Sequence, residues 1–228
     1  MTKKTLKYFI SVVIALTVFS NLNAQKDTVA RKHFFRINLD LASPIYSNFF
    51  DKANHRSGYE AMAEYSFNDT LFFIMEAGFH QLHCNLTTDK TYSTYESVSH
   101  GEFLRVGVNR NLMKYYNHKD RDIFYVGLRL SGSSYNMTYS SIIVPDAYWG
   151  GNKELSTPLQ YYWGFWSEAV LGMRIETAKN LFLGWDVRGA FKLYDSNQST
   201  FKTLFIPGYG NPQNPMSVWL NYSIGYAF

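Results

Sequence analysis

The chain has 228 residues, 18% of them aromatic and 18% charged, with a single cysteine. One cysteine excludes an internal disulfide, so an exported fold has to be held by packing and polar pairing. The excess of 22 Lys+Arg over 18 Asp+Glu is carried largely by the first residues, so charge gives no argument for a nucleic-acid partner.

Lys3, Lys4 and Lys7 precede the uncharged run "YFISVVIALTVF" at 8–19. A bilayer-spanning helix needs about 20 apolar residues, and this run is shorter. "SNLNAQ" follows, with Ala24 as the cleavage residue, which is the pattern of a secretory signal peptide. The expected division is a signal peptide at 1–24, a leader at 25–32 and a β-barrel at 33–228. Cleavage after Ala24 leaves 204 of the 228 residues, and losing the three lysines brings the 22 basic residues to 19 against 18 acidic ones. That length suits one domain. No later apolar run reaches the length of a spanning helix.

From residue 34 the hydrophobic period is two, the period of a strand. The stretch 34–42 alternates Phe35, Ile37, Leu39 and Leu41 with Arg36, Asn38 and Asp40. Alternation recurs at 58–67, 71–80, 103–109, 123–131, 165–176, 181–193 and 217–228. The connections run long (43–57), short (68–70), long (82–100), medium (110–122), long (132–162), short (177–180) and long (194–216). Such a sequence puts the long loops at one end of an antiparallel barrel and both termini at the other. The expected fold is therefore all-β: an eight-stranded antiparallel transmembrane β-barrel, long loops at one end and short turns at the other. A further hairpin within 134–144 would raise the count to ten.

The type of charge bears on what surrounds the barrel. Only Lys192 among the later lysines falls inside a strand; the others lie in the leader, turns or loops. The strand polar faces carry Arg36, Arg105, Arg129, Arg174 and Arg188 against Asp40, Glu60, Glu64, Glu76, Glu168 and Asp186. Arginine's planar fork suits carboxylates, and buried charge must be paired. These residues, with Lys192, are expected to form a structural charge network inside the barrel; a lumen that handles protons or ions is the functional alternative. The opposite face, with Tyr59, Tyr65, Phe67, Trp185, Tyr222 and Tyr226 toward its ends, is then expected to meet lipid. A soluble, lipocalin-like barrel with its apolar face inward is the alternative. Inward Phe34, Phe72, Trp166 and Trp219 are expected to block a pore. The last strand should close on the first, because a barrel in lipid has no edges.

Five phrases occur in order: "YVGLRLSGSSY" (125–135), "PDAYWGGN" (145–152), "LGWDVRGAFKL" (183–193), "FIPGYG" (205–210) and the closing "LNYSIGYAF". Together they resemble an uncharacterised family of Bacteroidota-type outer-membrane barrels, catalogued as a domain of unknown function. The resemblance runs from about Phe34 to Phe228 and implies place and fold, with no activity. Tyr222, Ile224, Tyr226 and Phe228 likewise resemble the C-terminal assembly signal read by the barrel-assembly machinery.

His80, His83, Cys84 and His100 flank one loop and are acceptable ligand types, but no ligand spacing repeats. No metal and no cofactor is expected. Tyr148, Trp149, Tyr161 and Tyr162 are aromatics of the outer loops and candidate ligand contacts. The expected function is a non-enzymatic role at the cell outer membrane, in envelope integrity or in surface binding through the loops. The expected partners are outer-membrane lipid and, during insertion, the assembly machinery; the barrel is expected to be a monomer. The alternatives are a rim enzyme acting on lipid or peptide through His80 and a carboxylate, or a soluble exported ligand-binding barrel.

Overall fold

The computed structural model describes residues 33–42, 54–88, 93–113, 121–146, 151–156, 158–197 and 203–228. The expected signal peptide and leader, and with them Tyr148 and Trp149, lie outside the described residues. Within them the chain is all-β, without helices. The strands are β1 (Phe35–Asp40), β2 (Asn54–Ser66), β3 (Leu71–Thr88), β4 (Ser93–Asn111), β5 (Ile123–Asp146), β6 (Gly151–Leu155), β7 (Gln160–Ala178), β8 (Leu181–Asp195) and β9 (Met216–Ala227). Each pairs antiparallel with its neighbours, β4 also pairs with β5, and β1 pairs with β9. The result is a closed ring of eight strands, with the five-residue β6 hydrogen-bonded only to the far end of β5. The stretch 134–144 thus lengthens β5 and adds no strand to the ring.

Register fixes the shape of the ring. Following partners from Arg36 gives Glu64, Ile74, Gly107, Arg129, Glu168, Ala190 and Ser217. Across the closing pair, however, Arg36 faces Ala227, ten residues further along β9. That stagger over eight strands tilts them by about 40°, within the range of closed barrels. An eight-stranded ring leaves an interior just wide enough for side chains to fill.

Two expected loops are shorter than the sequence suggested. β3 and β4 stay paired out to Thr88 and Ser93, so most of 82–100 is strand, and β5 and β7 consume most of 132–162. The physical reason is that ladder hydrogen bonds need only backbone. Strict apolar alternation is imposed by the surroundings of each face, and it fades at Gln81–Cys84 while pairing continues.

The outward face carries an apolar belt. Ile37, Met75, Leu104, Leu130, Leu171 and Leu220 are exposed around the middle of the wall. Phe35, Tyr65, Phe67, Phe73, Tyr226 and Phe228 are exposed at the turn end, where Tyr65 meets Phe67 with ring centroids 5.2 Å apart and Tyr226 meets Phe228 at 5.1 Å. Tyr59, Phe79, Tyr161, Trp163, Phe165 and Tyr194 are exposed toward the loop end.

The inward face follows a pairing rule. Gly58, Gly78, Gly101, Gly107, Gly127, Gly172, Gly184 and Gly225 lie directly across the ladder from His80, Phe103, Tyr135, Arg129, Asn109, Tyr125, Arg174 and Asn38, respectively. At each of these glycines an added Cβ would meet the facing residue. The missing side chain is the space into which the large one lies, which is how so narrow an interior admits so many long side chains.

Candidate functional site

Strand alternation sends Arg36, Arg105, Arg129, Arg174 and Arg188 inward together with Glu60, Glu64, Glu76, Glu168 and Asp186, and all ten are buried. The numbers balance, five against five, so mutual attraction can offset the desolvation penalty of burying them. Glu76 is the hub: Arg129 Nη1 and Arg188 Nη1 each lie 2.6 Å from one of its carboxylate oxygens, and Arg105 Nη1 contacts it as well. Arg105 also donates from Nε to Glu168 at 2.8 Å and from Nη1 to Glu60 at 2.9 Å. Arg188 pairs with Asp186 and lies 3.6 Å from Glu60. Toward the turn end Arg174 and Arg36 share Glu64, at 2.7 and 3.4 Å. Aromatic faces cover what carboxylates do not: Arg36 lies 4.0 Å from the Phe182 ring centroid and Arg105 lies 4.2 Å from that of Phe103. Trp166 adds an Nε1–H bond to Glu168 of 2.6 Å. A void beside this layer, lined by Asn38, Glu60, Glu76, Arg188, Asn221 and Ser223, leaves about 10 Å³ for the centre of a water molecule, room for about one.

Two of the expected interior charges lie at the loop-end margin of this layer, Asp40 lining the same void. Asp40, half-buried at the end of β1, accepts the Ala42 N–H at 2.9 Å. Lys192 directs Nζ to the Pro212 carbonyl. Both stand at the loop end of their strands, where an inward side chain meets the connecting segments before it meets the charged layer.

Above the charges a turn from the β8–β9 connection enters the mouth. The Ile206 carbonyl accepts the N–H groups of Tyr209 at 3.0 Å and Gly210 at 2.9 Å. Pro207 and Gly208, the latter at φ 80°, occupy the centre of this turn, the residues that a type II turn requires. Thr203, Phe205, Ile206 and Tyr209 are buried. Burial raises the Tyr209 hydroxyl above its ordinary pKa; it stays protonated and donates to the Asn214 carbonyl at 2.8 Å. The wall opposite supplies donors: Arg105 Nη2 to the Gly208 carbonyl at 2.8 Å and the Ser99 hydroxyl to the Phe205 carbonyl at 2.9 Å. His80 takes the Gly208 N–H on Nδ1 at 3.2 Å, while its Nε2 lies 3.1 Å from Glu60. That arrangement assigns the proton to Nε2 and leaves Nδ1 as the acceptor.

The remaining candidates scatter. His80 and Cys84 point inward and are buried, His83 is exposed, and His100 faces outward beside Phe79. Among the described residues no group of His, Cys, Asp and Glu can hold a metal. Tyr161 and Tyr162, expected together as outer contacts, point to opposite faces: Tyr161 is 71% exposed, and Tyr162, at 8%, packs in the mouth with its ring 5.7 Å from that of Tyr135. Adjacent residues on a strand must diverge in this way. Tyr222, Ile224, Tyr226 and Phe228 share the outward face of β9, and the Phe228 N–H bonds the Phe35 carbonyl at 2.8 Å. The inserted turn was not anticipated from the sequence. Its signal is a Pro-Gly pair between apolar residues, with no charge from 203 to 210, in a connection expected to be wet.

Structurally, then, this is a closed eight-stranded antiparallel β-barrel, its interior filled by ion pairs and its mouth stopped by one of its own turns. The chain belongs to the family described as a domain of unknown function, DUF6048, which matches residues 5–228. No curated protein matches it.

Proposed function

We propose that the protein is a non-conducting barrel of the bacterial outer membrane, with a non-enzymatic role in envelope integrity or in binding at its loop end. The outward belt carries this proposal. On β7, Phe165, Ala169, Leu171 and Ile175 form an exposed stripe whose ends are about 33 Å apart along the strand. At the tilt of the ring that is about 25 Å along the axis, the height of the apolar band of outer-membrane barrels. Aromatic residues border the belt at both ends, where lipid headgroups favour them, while the charges are inward and paired. Water around the wall would favour the reverse. Lipid is the partner of the belt, and the assembly machinery is the partner of β9 during insertion. A monomer suffices, because the ring closes on itself.

His80 supports no rim chemistry: it is buried, and both ring nitrogens are engaged with Glu60 and Gly208. The test is fractionation of the full chain followed by gel migration with and without heating. The expected result is recovery only with detergent, with the unheated band running faster. Recovery from the aqueous fraction, with no shift on heating, would sink the proposal.

Deleting Phe228 removes the bond to Phe35, worth about 1 kcal/mol, and a ring that packs on Tyr226 and Phe35. The expected outcome is a smaller heat-shifted fraction in cells, with refolding in detergent much less affected. Equal losses in both settings would argue that Phe228 serves stability alone.

A further inference from the structure

We propose that the turn at 203–210 is a pH-released plug, held in the barrel mouth by neutral His80 and let go when that ring gains a second proton. The latch is the bond from the Gly208 N–H to His80 Nδ1, 3.2 Å long, with Nε2 turned to Glu60 at 3.1 Å. A neutral imidazole satisfies both contacts. An imidazolium carries hydrogen on both nitrogens, so Nδ1 would then present a donor to a donor.

The charged groups around the ring set the sign. From β2 come Glu60, which favours the second proton, and Arg56, whose Nη2 lies 3.5 Å from Nδ1 and opposes it. From β4 comes Arg105, bound to the same Glu60 and to the Gly208 carbonyl. From β8 comes Arg188, 3.6 Å from Glu60. The turn itself brings no charge; the Tyr209 hydroxyl is its only titrating group. Docking therefore requires the neutral ring, and the undocked state binds the proton more tightly. By linkage the contribution of His80 to docking is fully present above the ordinary imidazole range and is lost as pH falls below it, which shifts the turn toward its released state. Release uncovers an aromatic vestibule walled by Phe103, Tyr135, Tyr162 and Trp166. The ion-paired layer beneath stays in place, so no channel opens.

The experiment uses the full chain folded in detergent, carrying Cys84→Ser and nitroxides on Thr177→Cys and Gln213→Cys. The first label sits at the turn end and the second just beyond the plug; both positions are exposed. Electron–electron distances are measured at about pH 7.5 and about pH 5.5, on either side of the imidazole range, with circular dichroism at each. The expected result is a single narrow distance at the higher pH and an added longer, broader population at the lower, with an unchanged strand signal. His80→Gln keeps an acceptor for Gly208 and does not titrate, so it should stay narrow at both. A wild type that stays narrow at both, a His80→Gln that broadens alike, or broadening only with loss of the strand signal would each overturn the proposal.

Discussion

Glu76→Leu should destabilise the barrel by about 3–5 kcal/mol, the cost of leaving buried charge uncompensated. Arg105 and Arg188 keep other carboxylates, Glu168 and Glu60 for the first, Asp186 and Glu60 for the second. Arg129 does not keep one at ion-pair distance: Glu76 is its one such partner among the described residues, its other side-chain hydrogen bond is to the sulfur of Met62 at 4.0 Å, and Asp186 acts on it only from further off. The measurement is urea unfolding in detergent, followed by the heat-dependent gel shift. Glu76→Gln, which keeps an acceptor, should lose less. Adding Arg129→Met to Glu76→Leu should restore part of the loss, because an apolar replacement removes the stranded charge. A change below about 0.5 kcal/mol for Glu76→Leu, the size typical of a surface substitution, would show that the layer is wet and its pairs weak.

Gly172→Val should cost about 1–3 kcal/mol or more, the range for overfilling a packed interior. A Cβ at Gly172 would lie 2.6 Å from the Tyr125 hydroxyl oxygen and 2.7 Å from Asp186 Cβ. Tyr125→Ala alone should also destabilise, since Tyr125 is buried and its hydroxyl bonds Asp186 at 3.3 Å. Combined, the two changes should cost less than their sum by about 1–3 kcal/mol, the coupling of residues in contact. Strict additivity in the same unfolding assay would mean that the glycine does not serve as the tyrosine's berth.

The parts of the molecule legible in the sequence are those whose two faces meet different surroundings. Phe35 to Asp40 shows its alternation because Arg36 and Asn38 enter the charged layer while Phe35, Ile37 and Leu39 join the belt. The use of Arg rather than Lys on the inward face was legible because paired, buried cations need the forked geometry. Strand length was less so: beyond His80 neither face is uniform, and the backbone alone carries the ladder to Thr88. Tyr162 shares the inward face of Trp166 and Glu168, and its adjacency to Tyr161 in an aromatic run masks that divergence in the sequence. The glycine berths could not be read at all, because they depend on which residues face each other across strands. The turn at 203–210 stood in the sequence only as an uncharged Pro-Gly phrase between apolar residues. Nothing in one chain told that its partners would be Ser99 and Arg105, about a hundred residues away.

Those partners order events in time. The connection carrying the turn joins the last two strands of the ring, and the wall that receives it, β3 and β4, stands four places away in either direction. The turn's berth does not exist until β9 has met β1. Insertion of the turn therefore reports that the circle is complete, and protection of Phe205 and Tyr209 from proteolysis should be the final step of maturation, trailing the arrival of every strand.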